Sequence, residues 1–222
     1  MKKFVRFLLN LRYGYKLPTL IKSKEWKINP TDRICILAPH ADDESIGCGG
    51  LLAKYAQQCD VILLTDGTPD GDEAVRKIRE EEFVKVMEFF GIKNYSFMRA
   101  KDGRLVEAYG LFEKIDFSDY TYVVMPHGLD SHKDHVVPQA FFRRLKKEKG
   151  FKAIPVYYEV WGAMAQPTNY IDISDVTDKK REAIHLYSSQ SNIDYAGRIL
   201  ALNHYRGIRH SVEEEEDYFI DR

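Results

Sequence analysis

The apolar run Ile34-Cys35-Ile36-Leu37-Ala38 stops on Pro39. The chain then places His40, Asp42, Asp43 and Glu44 together before Gly47, Gly49 and Gly50 open a stretch with helical apolar spacing. A short continuous apolar run bounded by a breaker reads as a strand buried on both faces. Hydrophobic collapse gives no reason to gather an imidazole and three carboxylates at its end. In open α/β sheets, ligands bind just outside the carboxyl ends of the strands. The stretch therefore predicts a strand, a cation-attracting loop and a helix, in that order.

The remaining chain repeats this alternation. Strands are predicted at residues 33–38, 60–65, 95–98, 122–125 and 153–160, with a short one at 170–173. Helices are predicted at 47–58, 73–90, 106–115, 134–149, 175–187 and 194–205, with Gly91 as a C-cap. Alternating strands and helices imply a mainly parallel sheet covered on both faces, a Rossmann-like three-layer α/β/α sandwich. The fourth predicted strand ends, like the first, in a polar cluster, His127-Gly128-Leu129-Asp130-Ser131-His132-Lys133-Asp134-His135. A parallel sheet brings the ends of strands one and four to one edge, so segments roughly ninety residues apart are expected to build one metal site. The acidic tail Val212-Glu213-Glu214-Glu215-Glu216-Asp217 is expected to be a solvated face without a function.

The 222 residues are read as a single domain over residues 31–222, preceded by a basic and apolar extension over residues 1–30. That extension is either an amphipathic helix lying on an anionic membrane surface or a segment packed on the domain or on another subunit of a homo-oligomer. With 33 basic and 34 acidic residues, nothing favours nucleic acid as a partner. Three unpaired cysteines point to a reducing, cytoplasmic setting, with peripheral membrane contact if the extension binds lipid. Cys48 lies between glycines at a helix start, where small residues serve tight packing. The Gly47–Gly50 spacing is not a dinucleotide fingerprint, and the acidic loop before it would repel a pyrophosphate.

Catalytic zinc sites take three N, O or S ligands and keep one position open. His40 and Asp43 can supply two from one loop, and His127, His132 or His135 the third. The neighbouring Asp42 suits a general base that takes a proton from water and returns it to a leaving amine. A protonated histidine opposite, such as His132 with Asp134 nearby, can stabilise a tetrahedral oxyanion. Together these groups point to hydrolysis of an amide or ester.

Pro39-His40-Ala41-Asp42-Asp43-Glu44 with Gly47-Cys48-Gly49-Gly50, and Ser131-His132-Lys133-Asp134-His135, resemble the two motifs of the PIG-L/LmbE-like zinc N-deacetylases. Thr65-Asp66-Gly67, Arg79 with Glu82, Asp102-Gly103, Lys180 and Ser189-Gln190 follow in the family's order. The resemblance covers residues 33–190. It implies His40, Asp43 and His135 as metal ligands, for Zn²⁺ or alternatively Fe²⁺, and Asp42 as general base. His132 would stabilise the intermediate, with Asp134 orienting it, and Arg79 and Asp102 would contact sugar hydroxyls. The implied reaction is removal of an N-acetyl group from an N-acetylglucosamine-type unit, small or lipid-linked. A non-sugar N-acyl amide, or a non-catalytic sugar-binding role, are the alternatives. Ala41 and Lys133 stand where the family has proline, and neither change removes a ligand or the base. Lys133 either favours an anionic substrate or is simply solvated.

Overall fold

The structure is a computed structural model and describes residues 22–222. Its strands are β1 (Lys24–Glu25), β2 (Ile34–Ala38), β3 (Cys59–Thr65), β4 (Asn94–Ala100), β5 (Tyr122–Pro126), β6 (Ile154–Tyr158), β7 (Asn169–Asp172) and β8 (Glu215–Ile220). They form one eight-stranded sheet in the order β1-β7-β8-β6-β5-β2-β3-β4. Every pairing is parallel except those of β8 with β6 and β7. The helices are α1 (Asp43–Tyr55), α2 (Glu73–Phe90), α3 (Tyr109–Phe112), α4 (Val137–Lys149), α5 (Thr177–His185) and α6 (Tyr195–Gly207).

The alternation of side chains along a strand divides the core into two layers. Ile34, Ile36 and Ala38 of β2 pack with Ile46 and Leu51 of α1, Phe83 of α2, Ile184 of α5 and Ile199 of α6. Cys35 and Leu37 face the other way, onto Phe112 of α3 and Phe142 and Leu145 of α4. The chain is thus a three-layer α/β/α sandwich with a mostly parallel sheet. From β2 the chain runs outward through β3 to β4, then returns to the other side of β2 as β5. The order therefore reverses between β2 and β5, at the kind of crevice where open α/β sheets hold ligands.

Helix α1 lies very close to the sheet. A Cβ on Gly47 would stand 2.1 Å from a Tyr158 ring carbon, and one on Gly50 would stand 2.2 Å from Ile173. These glycines serve close packing, and Cys48 is buried among apolar side chains in the same layer.

The acidic tail differs from its expected solvated state. It forms β8, inserted between β6 and β7, with Glu215, Glu216 and Asp217 all buried. Glu216 accepts hydrogen bonds from Lys180 Nζ at 2.7 Å, from the Gly50 and Leu51 amides at 2.7 and 2.9 Å, and from Tyr218 Oη at 2.7 Å. Glu215 pairs with His210, and Asp217 with Arg206 and Arg209. Bases on α5, α6 and the turn after α6 thus compensate charges that would otherwise keep this strand in water. The predicted helix at 106–115 also differs, reducing to a 3₁₀ turn at Leu105–Glu107 and the single turn of α3.

Of the predicted N-terminal extension, residues 1–21 lie outside the described residues. Its last part joins the sheet, since β1 pairs with β7 and Trp26 packs edge-on against Tyr122 and Tyr218. No helix among the described residues is long and apolar enough to cross a membrane.

Candidate metal centre

Where β2 ends, Pro39 O accepts hydrogen bonds from the Thr65 amide at 3.0 Å and from Thr65 Oγ1 at 2.7 Å, which fixes the point at which the chain leaves the sheet. Asp43 Oδ2 accepts from the His40 amide at 2.8 Å and closes the turn. Asp43 and Glu44 then occupy the first turn of α1, where the helix dipole favours carboxylates. Between them and His40, Asp42 has φ 135° and ψ −27°, a backbone conformation that L-residues rarely adopt.

The second segment follows β5. His132 N donates to Asp130 Oδ1 at 2.9 Å, and Trp161 N donates to Asp130 Oδ2 at 2.8 Å. The same Asp130 Oδ1 lies 3.0 Å from His135 Nδ1, so it orients that imidazole with Nε2 facing β2. Asp134 accepts from the amides of Gly103 at 2.7 Å and Leu105 at 3.2 Å, which pins the loop after β4 beneath the site. Gly103 has φ 73°, a turn that suits glycine.

These segments bring three ligand atoms into a triangle. His40 Nδ1 and Asp43 Oδ2 are 3.3 Å apart, His40 Nδ1 and His135 Nε2 3.3 Å, and His135 Nε2 and Asp43 Oδ2 3.2 Å. Tetrahedral ligands about 2.0–2.1 Å from Zn²⁺ would be separated by about 3.3–3.4 Å, so the triangle already has the dimensions of three corners of such a site. Each imidazole uses its other nitrogen on carboxylates. His135 Nδ1 meets Asp130, while His40 Nε2 lies 3.1 Å from Asp102 and 3.5 Å from Asp134. Carboxylate partners of this kind fix the ring orientation of metal-binding histidines. Two other groupings come within ligand reach, His40 with His132 and His135, and His40 with Asp102 and Asp134. The second uses the opposite nitrogen of His40, Nε2.

The electrostatics follow from this crowding. Burial alone would raise the Asp43 pKa, but the His135 and His40 imidazoles hold it well below the usual carboxylate range. Burial opposes protonation of His135, yet Asp43 and Asp130 carry its pKa up to about 9. His40 also rises well above the usual histidine value against its burial, through Asp102, Asp134 and Asp43. A cation held here would compete with protons for both rings. Asp42 goes the other way from Asp43. Burial first, then the negative charges of Asp43 and Glu44, push its pKa well above the carboxylate range.

The triangle opens into a cavity of about 300 Å³ whose wall includes Asp42, Arg79, Asp102 and His132. The sequence-based candidates therefore gather here, with three differences in their contacts. Asp102 hydrogen-bonds His40. The Asp134 carboxylate reaches Gly103, Leu105 and His40, and it is the Asp134 backbone amide that donates to His132 Nδ1, at 3.3 Å. His127, weighed as a third ligand, is occupied elsewhere, with Nε2 bonded to Gly162 O at 2.6 Å and Nδ1 accepting the Leu129 amide at 3.2 Å. Lys133 is exposed.

Trp161, Gln190 and Tyr195 complete the wall, and the sequence did not mark them as lining residues. Trp161 stacks on His135 with rings 18° from parallel and also leans on Tyr195. Asp130 was visible in the second cluster, two residues before His132, but its pairing with His135 depends on the fold of the loop.

Solved structures that share this fold include the following three. The chain superposes on N,N'-diacetylchitobiose deacetylase from Pyrococcus horikoshii with a TM-score of 0.72 at 19% identity, covering 100% of this chain and 92% of that one. The zinc-inhibited form of teicoplanin deacetylase Orf2 gives a TM-score of 0.65 at 16% identity, over 85% of this chain and 98% of that one. The 4-carboxy-2-hydroxymuconate hydratase GalB from Pseudomonas putida gives 0.65 at 17% identity, over 86% and 96%. At these identities the likeness establishes the fold. The sequence itself matches the PIG-L profile, described as GlcNAc-PI de-N-acetylase, over residues 35–146, a span that runs from β2 into α4 and holds both polar clusters. With both motifs in the matched span and their residues meeting at the sheet's switch point, the chain belongs to the PIG-L family.

Proposed function

We propose that the chain is a metal-dependent hydrolase that removes the N-acetyl group from an N-acetylated amino sugar. The observation that carries the reading is the triangle of His40, Asp43 and His135 with Asp42 beside it, in one cavity with Arg79. A hydratase shares the fold, so the reaction has to be argued from the site. Two deacetylases that also share it, one named for diacetylchitobiose, make an N-acetylated sugar the substrate class to test.

The three triangle residues would hold a divalent cation, Zn²⁺ or Fe²⁺, since both accept His and Asp ligands. When bound, the cation supplies Lewis-acid polarisation and lowers the pKa of water to about 7. Asp42, in the cavity wall beside the triangle, is placed to take a proton from water and give it to the departing amine. His132 accepts the Asp134 amide at Nδ1, so its ring proton sits on Nε2 and can be donated to the oxyanion. Burial, and then the nearby His40 and His135, lower the His132 pKa. Arg79 offers hydrogen bonds to sugar hydroxyls, and Asp102 and Asp134 hold the His40 ring in place.

Acetate release from N-acetylglucosaminides, compared with N-acetyl amino acids, tests the reading with the zinc-loaded protein. Preferential release from the sugar is expected. Preference for the amino acids would favour the wider amidohydrolase reading, and no release from either would favour a binding role.

A further inference from the structure

The unusual backbone of Asp42 points beyond the residues that line the site. Its φ of 135° is set by rotation about the bond between the Asp42 nitrogen and Cα, so it depends on how the Ala41–Asp42 peptide plane is held relative to the start of α1. On the α1 side, Asp42 O accepts from the Ser45 and Ile46 amides at 3.0 and 2.9 Å. On the other side the peptide plane is gripped at both edges. Gln190 Nε2 donates to Ala41 O, and the Asp42 amide faces Glu44 Oε2 at 3.4 Å. Glu44 is itself fixed by Tyr187 Oη at 2.6 Å and Ser45 Oγ at 2.7 Å.

Two of these contacts, from Tyr187 and Gln190, come from the one turn that follows α5. Glu82, buried on α2, secures that turn by accepting from Ser188 Oγ at 2.9 Å, Ser189 N at 2.8 Å and Ser189 Oγ at 2.6 Å. Strained backbone persists only where its surroundings over-determine it. Glycine would adopt this φ freely, but only a side chain with a carboxylate can serve as the base.

We infer that Tyr187, Gln190 and Glu82 are positioning residues for Asp42, forming a clamp that holds the Ala41–Asp42 peptide in its strained orientation and keeps the carboxylate beside the ligand triangle. Tyr187 and Glu82 act through Glu44 and the turn and lie outside the wall of the metal-facing cavity. The inference rests on Asp42 as the base of the proposed reaction.

Two measurements test it. The first needs no activity. Asp42→Gly and Asp42→Ala both lack the carboxylate, and only the alanine keeps the strained Cβ. The glycine variant is expected to melt several degrees above the alanine variant, and that difference should fall by half or more when Tyr187→Phe is added. An equal difference in both backgrounds would overturn the clamp, whatever the substrate proves to be. The second uses the zinc-loaded protein and an N-acetylglucosaminide. Tyr187→Phe and Glu82→Gln should each lower kcat about tenfold or more, with KM within threefold and bound metal unchanged. An unchanged kcat, or a loss confined to KM, would overturn the positioning role. A wild-type protein with no activity would count against the proposed reaction and leave the melting comparison to decide the clamp.

Discussion

Asp130 and His135 form a buried pair, with Oδ1 and Nδ1 3.0 Å apart and neither side chain exposed, and this pair turns the other nitrogen of His135 toward Asp43. Removing the carboxylate should leave the ring free to rotate while keeping every ligand. Asp130→Asn is therefore expected to weaken metal affinity by about 10–100-fold, measured by competition with a chromogenic chelator. Affinity equal to wild type would mean that packing alone orients His135.

Asp42 should separate catalysis from metal binding. Asp42→Asn keeps the shape of the side chain and all three ligands, so bound metal should stay stoichiometric by elemental analysis. The rate of acetate release should fall by about 10²–10⁴-fold. Loss of metal together with activity would show that Asp42 acts as a ligand.

The buried tail predicts a large stability effect far from the chemistry. Lys180 is fully buried, and its Nζ donates to Glu216 at 2.7 Å and Asn203 at 2.9 Å. Lys180→Met leaves the Glu216 charge without its cation and should cost about 3–5 kcal/mol in urea unfolding. A cost under about 1 kcal/mol would mean that the amides of α1 satisfy Glu216 by themselves.

Asp217 gives the stability a pH dependence. It faces Arg206, Arg209, Glu215 and Glu159, and burial outweighs the two arginines to push its pKa up to about 7. Its Oδ1 has no hydrogen-bond partner among the described residues, since both arginines meet Oδ2, so the ionised form is only partly compensated. A folded-state pKa above the unfolded value means that the folded form holds the proton more tightly. The stabilisation is complete below pH ~4 and is lost as pH rises toward 7. Between pH 5 and 7, the stability of Asp217→Asn relative to wild type should therefore increase by about 2–3 kcal/mol. A flat difference would show that the arginines keep Asp217 ionised throughout.

The sequence was most legible where local pattern decides structure. Ile34–Ala38 is apolar on both faces because helices cover both, and the spacing of Phe83, Val86, Met87 and Phe90 follows one face of α2. The two polar clusters stand out because charge at a strand end has no folding purpose. Long-range compensation was not legible. The acidic β8 reads as solvated until Lys180, Arg206 and Arg209 are placed against it. In the same way, Trp161 reached the cavity wall, and Asp134 turned toward Gly103, through loop geometry with no local signature.

The central claim concerns which atoms hold the cation, and anomalous diffraction at the zinc edge from crystals of the zinc-loaded protein tests it most directly. One peak is expected within about 2.0–2.2 Å of His40 Nδ1, Asp43 Oδ2 and His135 Nε2, with Asp42 beside it and not coordinated. A peak bound through His40 Nε2, Asp102 and Asp134, or no peak at the β2–β5 crevice, would contradict it.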